Sequence, residues 1–105
     1  MTHAFTQISI AEAKQKIDAG QVAILDIRDP GSYQNGHITG ATSITEDSDI
    51  EKFLNASDKQ KPVLVYCYHG NSSQGASAFL CEQGFKEVYS MKGGFEEWKK
   101  TYPAA

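Results

Sequence analysis

Two cysteines in 105 residues are too few for a disulfide framework. If residues 73–81 are helical, the rise of about 1.5 Å per residue sets Cys81 roughly 12 Å along the axis, beyond disulfide reach of Cys67. Both are therefore expected as free thiols in a reducing compartment. Basic charge is equally scarce: 10 lysines and arginines stand against 13 acidic residues, for a net charge of −3. A nucleic acid or an anionic membrane needs a basic patch, and none is visible, so neither partner is expected. No window approaches the roughly 18 apolar residues of a membrane span. The first eight residues carry neither a charged n-region nor an apolar h-region. The expected location is cytoplasmic. The three histidines and two cysteines fall into no zinc spacing, so neither metal nor cofactor is expected. Repeats, linkers and low-complexity stretches are missing too. Residues 1–105 then form one domain, of ordinary globular composition and long enough to bury its own core.

What is present is an alternation of short apolar runs with helical patterns. Phe5 to Ile8 can form a first strand, and Ser9 with Glu12 has capping-box spacing ahead of a helix that ends near Gly20. Ile10, Ala13 and Ile17 share one face of it. Val22 to Ile27 is almost unbroken apolar sequence, as in a strand covered on both sides. Pro30 breaks that run, and Ser32 to Asn35 can make a helical turn. A third strand over 41–44 precedes a short helix, opened by Ser48 and Glu51 and running through Leu54. Pro62 to Tyr66 is the fourth strand. Asn71 and Gln74 have the spacing of an N-cap and its third helical residue. That helix runs to Gly84, with Ala76, Phe79 and Leu80 apolar. Lys86 to Ser90 is a fifth strand, and Gly93-Gly94 turns the chain into a last helix. The pattern predicts an α/β fold with a mainly parallel sheet.

The chemistry centres on Lys61-Pro-Val-Leu-Val-Tyr-Cys-Tyr-His-Gly-Asn-Ser-Ser-Gln74, where a strand stops at a cysteine, a loop follows and a helix begins. Ligands of open α/β sheets bind beyond the carboxyl ends of the strands. Tight-loop N–H groups and a helix start form an anion site that also favours thiolate over thiol. Cys67 is then either a nucleophile for an electrophilic sulfur, phosphorus or arsenic centre, or a small buried hydrophobe. Cys81, mid-helix beside Leu80, is expected to pack in or near the core.

Three segments in this order resemble the signatures of the rhodanese homology domain. Asp26-Ile-Arg-Asp-Pro-Gly-Ser-Tyr-Gln-Asn-Gly-His-Ile-Thr-Gly-Ala41 is similar to its first signature. Cys67-Tyr-His-Gly-Asn-Ser-Ser73 resembles its active-site loop, and Gly93-Gly-Phe-Glu-Glu-Trp98 its C-terminal signature. The similarity spans essentially the whole chain and is greatest to the single-domain thiosulfate sulfurtransferases. It implies a rhodanese-like, five-stranded mainly parallel sheet with helices on both faces. It also implies a ping-pong reaction, in which Cys67 takes the outer sulfur of thiosulfate as a persulfide and releases sulfite. The sulfur then passes to cyanide, a dithiol or a protein thiol, with a thioredoxin-like protein as one implied acceptor. The alternative within the same resemblance is a persulfide-carrier module that delivers sulfur to a partner protein.

One departure narrows this. Many loops of the family read Cys-x-x-Gly-x-Arg, and Ser72 stands at the arginine position. The anion cradle must then be Tyr68, His69, Gly70, Asn71, Ser72 and Ser73, mainly through backbone N–H groups. Phosphatases and arsenate reductases of this fold use Cys-x5-Arg, and Ser73 occupies that arginine's place. A phosphoryl group depends on the bidentate guanidinium fork, so phosphatase chemistry is not expected. His69 is either an anion contact or a solvent-facing loop residue, and His37 is expected to be a hydrogen-bonded turn residue. Asp26 is expected as a buried carboxylate holding neighbouring turns. Arg28 either draws anions or pairs locally with Asp26 or Asp29. Phe95 and Trp98 are expected to anchor the last helix.

Overall fold

The computed structural model describes residues 4–105, so His3, read above as part of a frayed terminus, lies outside the described residues. Among these residues strands and helices alternate: β1 (Thr6–Ile8), α1 (Ile10–Asp18), β2 (Ala23–Asp26), α2 (Pro30–Asn35), β3 (Thr42–Ser43), α3 (Asp47–Ala56), β4 (Val63–Tyr66), α4 (Ser72–Glu82), β5 (Val88–Met91) and α5 (Gly94–Thr101). The sheet order is β1-β5-β4-β2-β3, and every pairing is parallel. β4 lies at the centre because all four of its residues are apolar enough to be buried. Strand alternation sends Val63 and Val65 to one face, with Leu25, Leu80, Cys81, Phe85 and Val88. Ile50, Phe53 and Leu54 of α3 pack against that cluster. Leu64 and Tyr66 point the other way, into Ile24, Met91, Ala13 of α1, and Phe95 and Trp98 of α5. Helices therefore cover both faces, and the edge strands β1 and β3 are short. Because all strands run the same way, Asp26 and Cys67 leave the sheet at one edge.

Helix starts show where local spacing holds. Ser9 caps α1, with its Oγ accepting the Glu12 N–H at 3.1 Å. α2 begins at Pro30, earlier than the predicted turn, because the Asp29 carboxylate accepts the Ser32 N–H at 3.0 Å. α3 does not open at Ser48. Its N-cap is Glu46, and the Asp49 carboxylate accepts the N–H groups of Thr45 at 3.0 Å and Glu46 at 3.1 Å. It also runs past Leu54 to Ala56. α4 follows Asn71 as expected, yet the Asn71 side chain caps nothing. Its backbone is helical (φ −90°, ψ −58°), and a capping side chain needs an extended one. The Gln74 side-chain amide instead donates to the Gly70 carbonyl at 2.9 Å.

A buried polar knot ties the end of β2 to the turns around it. Arg28 forks onto the Asp26 carboxylate (Nη2 to Oδ2 2.7 Å, Nε to Oδ1 3.0 Å) and also donates to the Gly36 carbonyl at 2.7 Å. The Tyr66 hydroxyl donates to Asp26 Oδ2 at 2.6 Å and accepts the Ile38 N–H at 3.1 Å. Burial, reinforced by that bond to Asp26, pushes the Tyr66 phenol far above its ordinary value and keeps it a donor. Both members of the ion pair are buried. Removing one charge strands the other, so Asp26→Ala is expected to cost about 3–5 kcal/mol in urea denaturation. A loss below about 1 kcal/mol would show that Arg28 is not left uncompensated without Asp26.

Candidate functional site

Cys67 is the first residue beyond β4, and it is only 5% exposed. Its Sγ accepts the N–H of Gly70 at 3.2 Å and that of Ser73, near the start of α4, at 3.3 Å. The start of the loop is held from outside through its carbonyls. The Cys67 carbonyl accepts the Phe95 N–H at 2.8 Å and the Tyr68 carbonyl accepts the Glu96 N–H at 3.0 Å. These are otherwise unpartnered donors at the start of α5. Gly94 makes the approach possible: with φ +61°, a Cβ there would sit 2.6 Å from the Cys67 carbonyl oxygen. Gly70, with φ +91°, is also closely packed, its virtual Cβ 3.0 Å from the Gly93 nitrogen. The loop is thus clamped between β4 and α5.

Burial would push the Cys67 thiol up, but it is outweighed by the Ser73 hydroxyl and the N–H groups of Ser73, Gly70 and His69, and the net direction is down. Cys81 has only burial acting on it and is pushed up. It packs in the core beside Leu80, as its helical position suggests. The two free cysteines are therefore in chemically distinct settings: one sulfur accepts two backbone N–H groups and is pushed toward thiolate, while the other has only burial acting on it.

Of the loop residues, Gly70 and Ser73 bring N–H groups to the sulfur, while Tyr68, His69, Asn71 and Ser72 are exposed. The exposed His69 ring leans on Tyr68 at 5.8 Å. Tyr68 is 40% exposed, and its hydroxyl lies 3.2 Å from that of Ser32, which donates to Asp29 at 2.7 Å. This contact joins the first signature to the loop. Arg28 does not face the anion site. Its guanidinium is committed to Asp26 and lies 4.1 Å from the Phe95 ring centroid. His37 is also elsewhere, with its ring stacked on Tyr33 at 3.8 Å and Nδ1 2.8 Å from the Tyr33 carbonyl. Among the described residues no three histidine, cysteine or carboxylate side chains gather to hold a metal ion. Sequence reasoning missed Ser90, whose hydroxyl meets that of Ser73 at 2.8 Å inside the core. The one local signal was a serine in an otherwise apolar strand.

The family model for the rhodanese-like domain matches residues 9–101. The chain belongs to the rhodanese-like family. It is 48% identical over 99 residues to the thiosulfate sulfurtransferase GlpE of Pseudoalteromonas translucida, covering 94% of this chain and 93% of that protein. The rhodanese-like domain of an Anabaena protein, solved by NMR, superposes with a TM-score of 0.83 at 27% identity, over 94% of this chain and 77% of that one. A Rhodopseudomonas palustris protein of unknown function, described as a possible tyrosine phosphatase, gives 0.81 at 26% identity, over 96% and 85%. In this rhodanese-like chain the family's C-terminal Gly-Gly-Phe thus has a physical task, which is to let α5 grip the loop carbonyls.

Two outcomes follow for the thiol. A lowered Cys67 means more thiolate at a given acidic pH, so Cys67 is expected to alkylate in mildly acidic buffer where Cys81 does not react. Peptide mapping after iodoacetamide treatment reads this directly, and equal labelling of both cysteines contradicts it. Gly94→Ala pushes α5 off the loop carbonyls. It is expected to destabilise the fold by about 3 kcal/mol and to move the Cys67 alkylation profile up toward that of an ordinary thiol. A native profile in that variant would show that the loop does not depend on the clamp.

Proposed function

We propose that this rhodanese-like protein is a sulfurtransferase that moves the sulfane sulfur of thiosulfate through a persulfide on Cys67. The observation that carries the reading is a buried sulfur ringed by backbone N–H groups, with no cation of its own. The Cys67 thiolate attacks the outer sulfur of thiosulfate. The S–S bond of thiosulfate breaks, and its electron pair leaves with sulfite. The new Cys67–S–S⁻ carries its charge on the terminal sulfur, where N–H donors of the Tyr68–Ser73 loop can hold it. Cyanide, or a thiolate of a dithiol or protein acceptor, then attacks that terminal sulfur, and the Cys67 thiolate returns. A thioredoxin-like dithiol suits this step by its chemistry. The free state of both cysteines fits a reducing, cytoplasmic setting. The relative's name, thiosulfate sulfurtransferase, supports the choice of donor.

A second reading, a carrier that receives persulfide sulfur from a partner protein, is favoured by one observation. The loop offers thiosulfate no fixed positive charge, since Ser72 replaces the arginine and Arg28 is locked onto Asp26. Phosphoryl transfer gains nothing from that arrangement, whatever the possible activity of the fold relative.

Thiocyanate production from thiosulfate and cyanide separates these readings. Turnover in the native protein and none in Cys67→Ser is expected; a native protein without turnover defeats the enzyme reading, and a gain of one sulfur on Cys67 after persulfide transfer from a partner then supports the carrier. The Michaelis constant for thiosulfate is expected at or above about 1 mM, the upper end of the usual enzyme range. A submillimolar value would contradict a cradle built from neutral donors.

A further inference from the structure

Ser90 is 1% exposed and lies on β5, behind the loop, where its hydroxyl meets Ser73 Oγ at 2.8 Å. Among the described residues that is the one hydrogen bond its side chain makes. We propose that Ser90 is a positioning residue for the Cys67 thiolate: its hydroxyl bond to Ser73 Oγ holds Ser73 where its N–H meets the sulfur at 3.3 Å.

Both hydroxyls are buried, and each is the other's one hydrogen-bond partner among the described residues, so removing either leaves the other unpaired. The Ser73 N–H meets the sulfur at 3.3 Å, so what fixes Ser73 also fixes that donor. The direction of the Cys67 shift agrees, since Ser73 is foremost among the groups that favour thiolate there. Ser77 does not compete, because its hydroxyl donates to the Ser73 carbonyl at 2.6 Å and steadies the backbone instead. Charged side chains do not take over the task. Arg28 is paired with Asp26, and the His69 ring is exposed beside Tyr68. In a loop without a cation, a fixed neutral donor carries more of the load.

The inference rests on Cys67 being the reacting thiolate, and one experiment separates the two claims. The rate of Cys67 alkylation by iodoacetamide is followed against pH in the native protein, Ser73→Ala, Ser90→Ala, the double variant and Ser90→Thr. In mildly acidic buffer Ser73→Ala is expected to slow alkylation about tenfold and Ser90→Ala about threefold. In the Ser73→Ala background the Ser90 change is expected to do nothing further, and Ser90→Thr, which keeps the hydroxyl, restores the rate. In alkaline buffer, with every thiol ionised, the variants converge. A Ser90→Ala profile that overlays the native one overturns the positioning role, as does an effect that adds to Ser73→Ala. Should Ser90→Ala not fold, Ser73→Ala alone decides, because a native profile there leaves Ser90 nothing to act through. A native protein whose Cys67 titrates as an ordinary thiol instead defeats the thiolate reading itself.

Discussion

The start of α5 donates the Phe95 and Glu96 N–H groups to the carbonyl oxygens of Cys67 and Tyr68, and the site depends on those two bonds. A peptide whose carbonyl is held on one side presents its N–H on the other. Fixing the Cys67 and Tyr68 carbonyls therefore sets the Tyr68 and His69 N–H groups on the opposite side, and the rest of the loop brings the Gly70 and Ser73 N–H groups onto the sulfur. The helix start also gains, since its first donors lack intrahelical partners and find them in the loop. The contact requires backbone against backbone, which is why Gly94 has no side chain to interpose.

The rest of the fold sets the distance at which this happens. β4, buried on both faces, delivers Cys67 to the sheet edge, and its neighbour β5 delivers Gly93 and Gly94 beside it. β2 ends at the same edge in Asp26, whose knot with Arg28 and Tyr66 braces the floor beneath Phe95. Arginine there is a structural cation, stacked and forked rather than offered to a ligand. The site is left with dipoles and hydroxyls to stabilise charge. That suits a sulfur anion, which is large and soft, better than a phosphoryl group, whose equatorial oxygens call for a guanidinium fork.

Much of this was legible in the sequence because it rests on local rules. Apolar runs such as Val63–Tyr66 mark strands buried on both faces, and Ser9 with Glu12 marks a helix start. The break from strand to glycine loop at Cys67 marks the sheet edge. Where expectation failed, neighbours distant in sequence or competing caps decided. Asn71 has the right spacing for a cap, but the Ser73 N–H is engaged by a sulfur six residues back. Ser48 and Glu51 have capping spacing too, and the overlapping Glu46 and Asp49 pair took the helix start. The Ser73–Ser90 contact spans 17 residues and two elements, and no local pattern encodes it. Gly94 was readable as a turn, but its contact with the loop carbonyls was not.

The central claim is that Cys67 itself takes a sulfur atom from thiosulfate. Mass spectrometry of the intact protein and its peptides after brief exposure to thiosulfate tests it most directly. The account predicts a gain of one sulfur atom confined to the Cys67 peptide, removed by cyanide, with sulfite released in equal amount. An unchanged Cys67 peptide, or a sulfur found on Cys81, would contradict it.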